Sequence, residues 1–290
     1  GNTYCTREHD SLKISNGKWC WFSRGIGGKT ALDYLIKVKE LPFTEAVERI
    51  VGRAAERPSV FHARAQPEKP KTLLLPPKSN SNTRVIAYLK SRGIDGGLIE
   101  QCIRSGQLYE SLPYHNTVFV GMDRNGTPRY ACLRGIGTDF KGEATGSDKR
   151  FSFALPATGE SRMLCVFESA IDLLSYATMA QAGGLSWRSQ HLLSLAGVYK
   201  PQKETQEHRL PLALTQYLKD HAEIKTICLR LDNDMTGRSA TEAIRQQLAE
   251  RYKVASAFPR QGKDYNDWLC IRMGLQPAKE NPMTERSFAR

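Results

Sequence analysis

From Arg162 onward, four apolar runs of strand length are each followed by a stretch with helical spacing. MLCVFES precedes AIDLLSYATMA, HLLSLAGV precedes LPLALTQYLKDH, TICLRLDND precedes RSATEAIRQQLAERY, and KVASAFP precedes GKDYNDWLCIRMG. Strands alternating with helices of this length need crossover connections, so the pattern predicts an α/β fold with a mostly parallel sheet covered on both faces. In such sheets the functional groups collect outside the carboxyl ends of the strands.

Acids sit at those ends. Glu168 closes the first strand, Asp232 and Asp234 close the third, and Asp264 and Asp267 follow the fourth. If the strands are parallel, Glu168, Asp232 and Asp234 reach one sheet edge from distant parts of the chain. Crowded carboxylates repel one another, and a bound divalent cation is the usual compensation; Mg²⁺ suits carboxylate and water ligands and bridges to phosphate oxygens. A plainer alternative exists for one of them: an Asp after a strand is often a helix N-cap, and Asp234 before Met235-Thr236-Gly237 fits that role.

The surroundings are basic. Forty-two Lys and Arg against 30 Asp and Glu give a formal charge of +12, the footprint expected of a polyanion partner. A chain of 290 residues points to two or three compact units. No run approaches the roughly 20 apolar residues needed to cross a bilayer, and GNTYCTREHD lacks the apolar core of a signal peptide. Seven scattered cysteines, an odd number, speak against a secreted disulfide framework. A soluble, cytoplasmic protein without a membrane partner is expected.

Upstream, residues 3 to 28 read as a small β-ribbon, with segments around Ser11–Ile14 and Trp19–Ser23 flanking the turn signal Ser15-Asn16-Gly17. Two helices follow, in ALDYLIKVKEL and from Thr44 through the run FTEAVERIVG. Residues 54–83 hold five prolines and little periodicity, so they read as a linker. From Arg84, VIAYLKSRGI and GGLIEQCIRSG suggest short helices, and NTVFVGMD with PRYACLRGI a hairpin turning at Asn125-Gly126. GTDFKGEATGSDKRFSF is rich in Gly, Lys and Arg and reads as a surface loop.

VFESAIDLLS, with Glu168 ending a strand and Asp172 four residues on, resembles the first motif of TOPRIM domains. LRLDNDMTGRSA resembles the Asp-x-Asp motif of that family, GKDYNDWL its third acidic segment, and LSLAGVYK its small-residue loop. In order and spacing the chain resembles bacterial replicative primases. YLKSRGI, NTVFVGMD, NGTPRYACLRGI and DKRFSF resemble the basic subdomain before TOPRIM, and FSRGIGGKTALDYLI the glycine turn and helix of the primase zinc module. TOPRIM proteins of plasmids and conjugative elements, with a domain of unassigned function before TOPRIM, are similar in arrangement. The resemblance implies a degenerate zinc-ribbon-like module at 1–53, a linker at 54–83, a small basic α+β subdomain at 84–160, a TOPRIM domain at 161–275 and a tail at 276–290.

It also implies roles. Asp232 and Asp234 would be principal ligands of Mg²⁺ or Mn²⁺, with Asp264 auxiliary; Glu168 would be a ligand or the general base. Asp172 would orient a water or a lysine, or simply complement the helix dipole. Arg129, Arg134, Lys141, Lys149 and Arg150 would line a template groove, alternating with Tyr130, Phe140, Phe151 and Phe153, aromatics able to stack on bases or to pack beneath a solvated loop. Lys200 and Lys263 would reach a phosphate. The expected function is primase-like nucleotidyl transfer on single-stranded DNA with nucleoside triphosphates, in replication or transfer of a mobile element, with a helicase or relaxase as partner; cleavage by a TOPRIM nuclease and non-catalytic DNA binding are the alternatives.

The chain departs from primases at the zinc module. Cys5 and His9 are separated by three residues rather than two, Trp21 and Arg24 stand where the second ligand pair would fall, and Cys20 is one residue out of place. Tetrahedral zinc needs four converging ligands. A ribbon that has lost its metal and is held by packing of Trp19, Trp21 and Phe22 is expected; zinc on Cys5, His9, Cys20 and a residue outside the motif is the alternative.

Overall fold

The computed structural model describes residues 3–6, 9–15, 17–56, 72–195, 197 and 210–277. The chain divides into two compact units, residues 1–69 and residues 70–290.

In the first unit β1 (Tyr4–Cys5), β2 (Leu12–Ser15), β3 (Lys18–Trp21) and β4 (Ile26–Gly28) form an antiparallel meander in chain order. The two expected strands are its centre, although Asn16 of the turn signal lies outside the described residues. Leu12, Trp19 and Trp21 make its small core, with Tyr34 and Val38 packed against them. The glycine turn has a steric reason: a Cβ on Gly28 would lie 2.7 Å from Trp19 Nε1 and 2.8 Å from Asp33 Cβ. Thr30 then caps α1 (Ala31–Lys37) by accepting the Asp33 N–H, and α2 (Phe43–Glu56) follows.

The second unit opens with an extended segment that the proline count made read as linker. Residues 57–71 lie outside the described residues, but Leu74 N–H donates to Thr145 O, Leu112 N–H donates to Pro77 O, and Lys78 bridges Ser111. Leu73 and Leu75 pack on Tyr109, Val118, Val120 and Ala131, so burial of alternate leucines holds this stretch to the neighbouring sheet. Next come α3 (Thr83–Ser91), α4 (Gly96–Arg104) and the antiparallel sheet β5 (Leu108–Glu110), β6 (Thr117–Met122), β7 (Pro128–Arg134) and β8 (Lys141–Glu143), in chain order. The β6–β7 hairpin turns at Gly126, φ +74°. Strand β8 corrects the reading of 137–153 as loop throughout: its register against β7 is set by pairing, which a short polar run does not announce.

The alternating region folds as its pattern requires. Strands β9 (Ala154–Leu155), β10 (Met163–Phe167), β11 (His191–Ser194), β12 (Thr226–Arg230) and β13 (Lys253–Ser256) lie in the order β13-β12-β10-β11-β9. All neighbours pair in parallel except β9, which runs antiparallel to β11. Helices α5 (Ala170–Ala182), α6 (Leu212–Asp220), α7 (Met235–Leu248) and α8 (Tyr265–Arg272) complete the unit.

Period-two alternation sorts the strand residues. Leu164, Val166, Ile227 and Leu229 enter a core with Leu214 and Leu218 of α6 and Ile244 and Leu248 of α7. Cys165, Phe167 and Cys228 face the other way, onto α5 and α8, in a core that also holds Val85, Leu89, Leu98 and Ile99 of α3 and α4. One core therefore joins the TOPRIM-like sheet to the helices before it, each large side chain contributing about 1.5–3 kcal/mol on burial. Among the described residues no helix is long and apolar enough to cross a membrane.

Candidate functional site

The carboxyl edge of the parallel sheet is built by loops that fix one another. Glu168 follows β10, and its backbone oxygen accepts the Gly197 N–H at 3.0 Å, which ties the loop after β11 to it. Ser169 caps α5, accepting the Asp172 N–H at 3.3 Å and donating its hydroxyl to Asp172 Oδ2 at 2.6 Å. Asp172 is buried, 5% exposed, and its Oδ1 accepts the Asn266 N–H of α8 at 3.2 Å. Asn266 Nδ2 in turn donates to Ser175 Oγ and to the backbone oxygen of Arg92. Asp172 thus does more than complement a helix dipole: it joins α5 to α8.

Asp232 and Asp234 follow β12. Asp234 is an N-cap, accepting the Gly237 N–H at 2.8 Å through Oδ1, while its Oδ2 lies 3.5 Å from Lys263 Nζ. Gly237 has no room for a side chain, because a Cβ there would fall 2.2 Å from Asp232 O. Asp264 caps α8, accepting the Asp267 N–H at 2.7 Å. Asn233 N–H donates to Lys263 O at 2.7 Å, and Lys263 N–H donates to Asp267 Oδ2 at 3.0 Å. These bonds stitch the third acidic segment to the Asp-x-Asp loop.

The electrostatics show that four acids share this edge. Burial, then the charges of Asp172, Glu168 and Asp264, push the Asp232 carboxyl up to about 9, with Lys263 pulling against them. Burial and Asp172 push Asp264 up to about 7; burial also raises Asp172. No three of these acids bring one ligand oxygen each within 4.8 Å of one another. An all-oxygen set with surplus negative charge, spaced for intervening water, suits a hard divalent cation that keeps several waters and takes one or two carboxylates directly.

Basic groups reach this edge from the preceding subdomain. Arg134, at the end of β7, has a buried Nη1 without a hydrogen-bond partner among the described residues, and its charge favours ionisation of Asp172. Arg92, just past α3, acts on both Asp172 and Asp264. Sequence reading missed Arg92 as a site residue, although it lies within YLKSRGI, just before Gly93.

Three of the other basic candidates carry acid partners of their own. Arg129 Nε is 2.8 Å from Asp123 Oδ2, Lys149 Nζ 3.2 Å from Glu143 Oε1, and Arg150 Nη2 2.6 Å from Asp148 Oδ2. Lys141 is exposed at the start of β8, and Lys200 lies outside the described residues. Of the aromatics, Tyr130 and Phe153 are buried, 1% and 0% exposed, and cannot stack on a base; hydrophobic packing claims them. Phe140 is half exposed and Phe151 partly so.

In the ribbon, register decides what the thiols meet. Lys13 pairs with Cys5 on one side and Cys20 on the other, so a lysine stands between the two cysteines on one face. Its Nζ lies 2.8 Å from Cys5 Sγ. The His9 ring packs on Trp21 at 4.4 Å.

Residues 165–269 match the Toprim-like family and residues 87–159 match a protein family of unknown function, DUF3991. An uncharacterized protein of Bacillus anthracis is 26% identical over 257 residues, 83% of this chain and 70% of that protein. A 65 kDa protein of Zymomonas mobilis is 24% identical over 287 residues, and this chain spans only 46% of its length. Among solved structures, the primase fragment of the bacteriophage T7 primase-helicase is similar with TM-score 0.44 and 18% identity, covering 91% of this chain and 90% of that one. The E. coli primase catalytic core has TM-score 0.43 and 15% identity, covering 67% and 70%.

Proposed function

We propose, for a chain that carries a Toprim-like domain at residues 165–269, that it transfers phosphoryl or nucleotidyl groups on nucleic acid, and that the specific reaction is primase-like synthesis on a single-stranded DNA template. The observation that carries this reading is Asp232, whose carboxyl is pushed up to about 9 by burial and by Asp172, Glu168 and Asp264. Burying carboxylates against one another costs stability, and a bound divalent cation would relieve that repulsion.

Asp232 and Asp234 would hold Mg²⁺ or Mn²⁺, with Asp264 as auxiliary, each of the last two having one oxygen already engaged as a helix cap. Bound there, such an ion would supply Lewis-acid chemistry toward phosphoryl oxygens. Glu168, partly exposed at the rim, takes the proton of the attacking hydroxyl as that oxygen bonds to the α-phosphorus of a nucleoside triphosphate and pyrophosphate leaves, or serves as a ligand. Asp172, fixed by Ser169 and Asn266, positions the edge rather than reacting. Lys263 neutralises phosphate charge from the Asp234 side, and Arg92 and Arg134 do so from the preceding subdomain. Lys141, Lys149, Arg129 and Arg150 would track the template backbone, the last three exchanging their present acid partners for phosphates. A mobile element's replication or transfer, with a helicase or relaxase as partner, is the setting this reading implies.

A second reading has its own support. Lys13 interrupts the ligand face of the ribbon, the module that primases use, and the same acidic edge with water in place of a 3′-hydroxyl would cleave a phosphodiester. Incubation with single-stranded DNA, labelled ribonucleotides and Mg²⁺ separates the readings by product: oligoribonucleotides or cut template. Glu168→Gln and Asp232→Asn should each lower either activity by about 10²–10⁴-fold. Undiminished activity in both variants would sink the assignment.

A further inference from the structure

At the opposite end of the same sheet, two histidines and a glutamate converge. His191 opens β11, His221 closes α6, and Glu223 lies in the turn leading to β12. They are the one set of three metal-ligating side chains among the described residues in which a ligand atom from each lies within 4.8 Å of the others. Glu223 Oε1 is 3.0 Å from His221 Nδ1 and 3.8 Å from His191 Nε2. A tetrahedral ion with bonds of about 2.0–2.2 Å sets neighbouring ligands about 3.4 Å apart, midway between these two distances.

The second observation is a buried atom lacking a partner. His191 is 3% exposed, and its Nε2, on the side facing Glu223, makes no hydrogen bond among the described residues. Burying such a nitrogen is costly unless something binds it. The opposite nitrogen is served: His191 Nδ1 lies 3.0 Å from the Tyr217 hydroxyl and 3.4 Å from the Ala157 N–H. Moving the ring proton from Nε2 to Nδ1, with Tyr217 Oη as acceptor and the long Ala157 N–H contact to Nδ1 given up, frees Nε2 to ligate; such a hydrogen bond on the far nitrogen is the usual support of a metal-bound imidazole. Tyr217 also stacks on His221 at 4.3 Å, and His221 lies 4.7 Å from His191, so both imidazoles are oriented before any ion arrives.

We propose that His191, His221 and Glu223 form a binding site for a divalent transition-metal ion of the zinc class, at the amino edge of the parallel sheet. Two imidazoles and one carboxylate suit zinc, nickel or copper rather than magnesium. The exposed side of Glu223, 48% accessible, leaves a fourth position for water. The site is separate from the acidic edge: the five residues of β12, Thr226–Arg230, run between them at about 3.3 Å per residue. Bound metal would fasten the end of α6 to the start of β11 without entering the reaction.

The test uses the full chain with Cys5→Ser and Cys20→Ser, which removes the ribbon thiols from contention. Titrated with Co²⁺, this protein should show visible d–d absorption, displaced by stoichiometric Zn²⁺ and unaffected by excess Mg²⁺, and zinc should raise its Tm. His221→Ala and Glu223→Gln in that background should each weaken Zn²⁺ binding at least about tenfold and cancel the rise in Tm. Melting in EDTA checks that the variants fold; half-exposed Glu223 decides the matter if His221→Ala does not. Absence of Zn²⁺ binding at micromolar concentration, or binding unchanged in the folded variants, would overturn the proposal.

Discussion

The parallel sheet and the N-terminal ribbon each carry candidate ligands on their strands, and the two architectures treat them differently. In the second unit the parallel strands end at the same edge, so Glu168, Asp232 and Asp264 meet although 64 and 32 positions separate them in sequence; crossover helices bring them together and the caps of α7 and α8 hold them there. In the antiparallel ribbon, neighbours are set by register, and register puts Lys13 between Cys5 and Cys20. Parallel topology gathers like residues from afar, whereas a meander offers each residue only its cross-strand partners.

The largest effect that would break this contrast is expected at Gly237. Gly237→Ala drives a Cβ into the Asp232 carbonyl, 2.2 Å away, so α7 or the acidic loop must shift. We expect a loss of about 1–3 kcal/mol in stability and roughly 10²-fold in any phosphoryl-transfer rate, since misplacement of about 1 Å suffices for that. Wild-type melting and activity would mean that the glycine does not position the edge. Asp234 separates capping from ligation: Asp234→Ala should cost about 1 kcal/mol, whereas Asp234→Asn keeps the cap and should lose activity alone. Full activity in the asparagine variant would reduce Asp234 to a cap.

Asp232 gives the opposite sign in stability. Its folded carboxyl, at about 9, lies above the ordinary 3.8, so between those values the native state holds a proton that the unfolded chain has released. Its contribution is therefore lost progressively as pH rises through that window. In EDTA at pH 8, Asp232→Asn should raise stability by at least about 1 kcal/mol, roughly 2–4 °C in Tm for a unit of this size, and should flatten the alkaline decline in thermal melts. The smallest effect belongs to the ribbon. Cys20→Ser should alter its stability by less than about 0.5 kcal/mol; loss of bound zinc and unfolding of the module would show instead that the thiols hold a structural metal.

Much of the second unit was legible because its signals are local. The apolar runs and helical spacing after Arg162 define β10 to β13 and α5 to α8, and an acid at a strand end needs only the parallel rule to be placed. The hairpin at Asn125-Gly126 is likewise a dipeptide signal. Strand β8 and the packed leucines of 72–82 were not legible, since a short polar strand and an extended proline-rich segment owe their form to a neighbouring sheet. Tyr130 and Phe153 looked able to stack on bases because periodicity in a glycine-rich stretch does not say which face is covered.

What the sequence by itself determined is the α/β alternation and the arrival of Glu168, Asp232 and Asp234 at one edge. Those follow from periods of two and 3.6 residues and from the single hand of crossover connections. Tertiary structure alone decided that Arg92 faces these acids, that Asn266 locks Asp172, that Lys13 parts the ribbon cysteines, and that His191 meets His221 and Glu223 at the far edge. Each of those contacts joins segments with no pattern in common, and only the packing of one element on another brings them within reach.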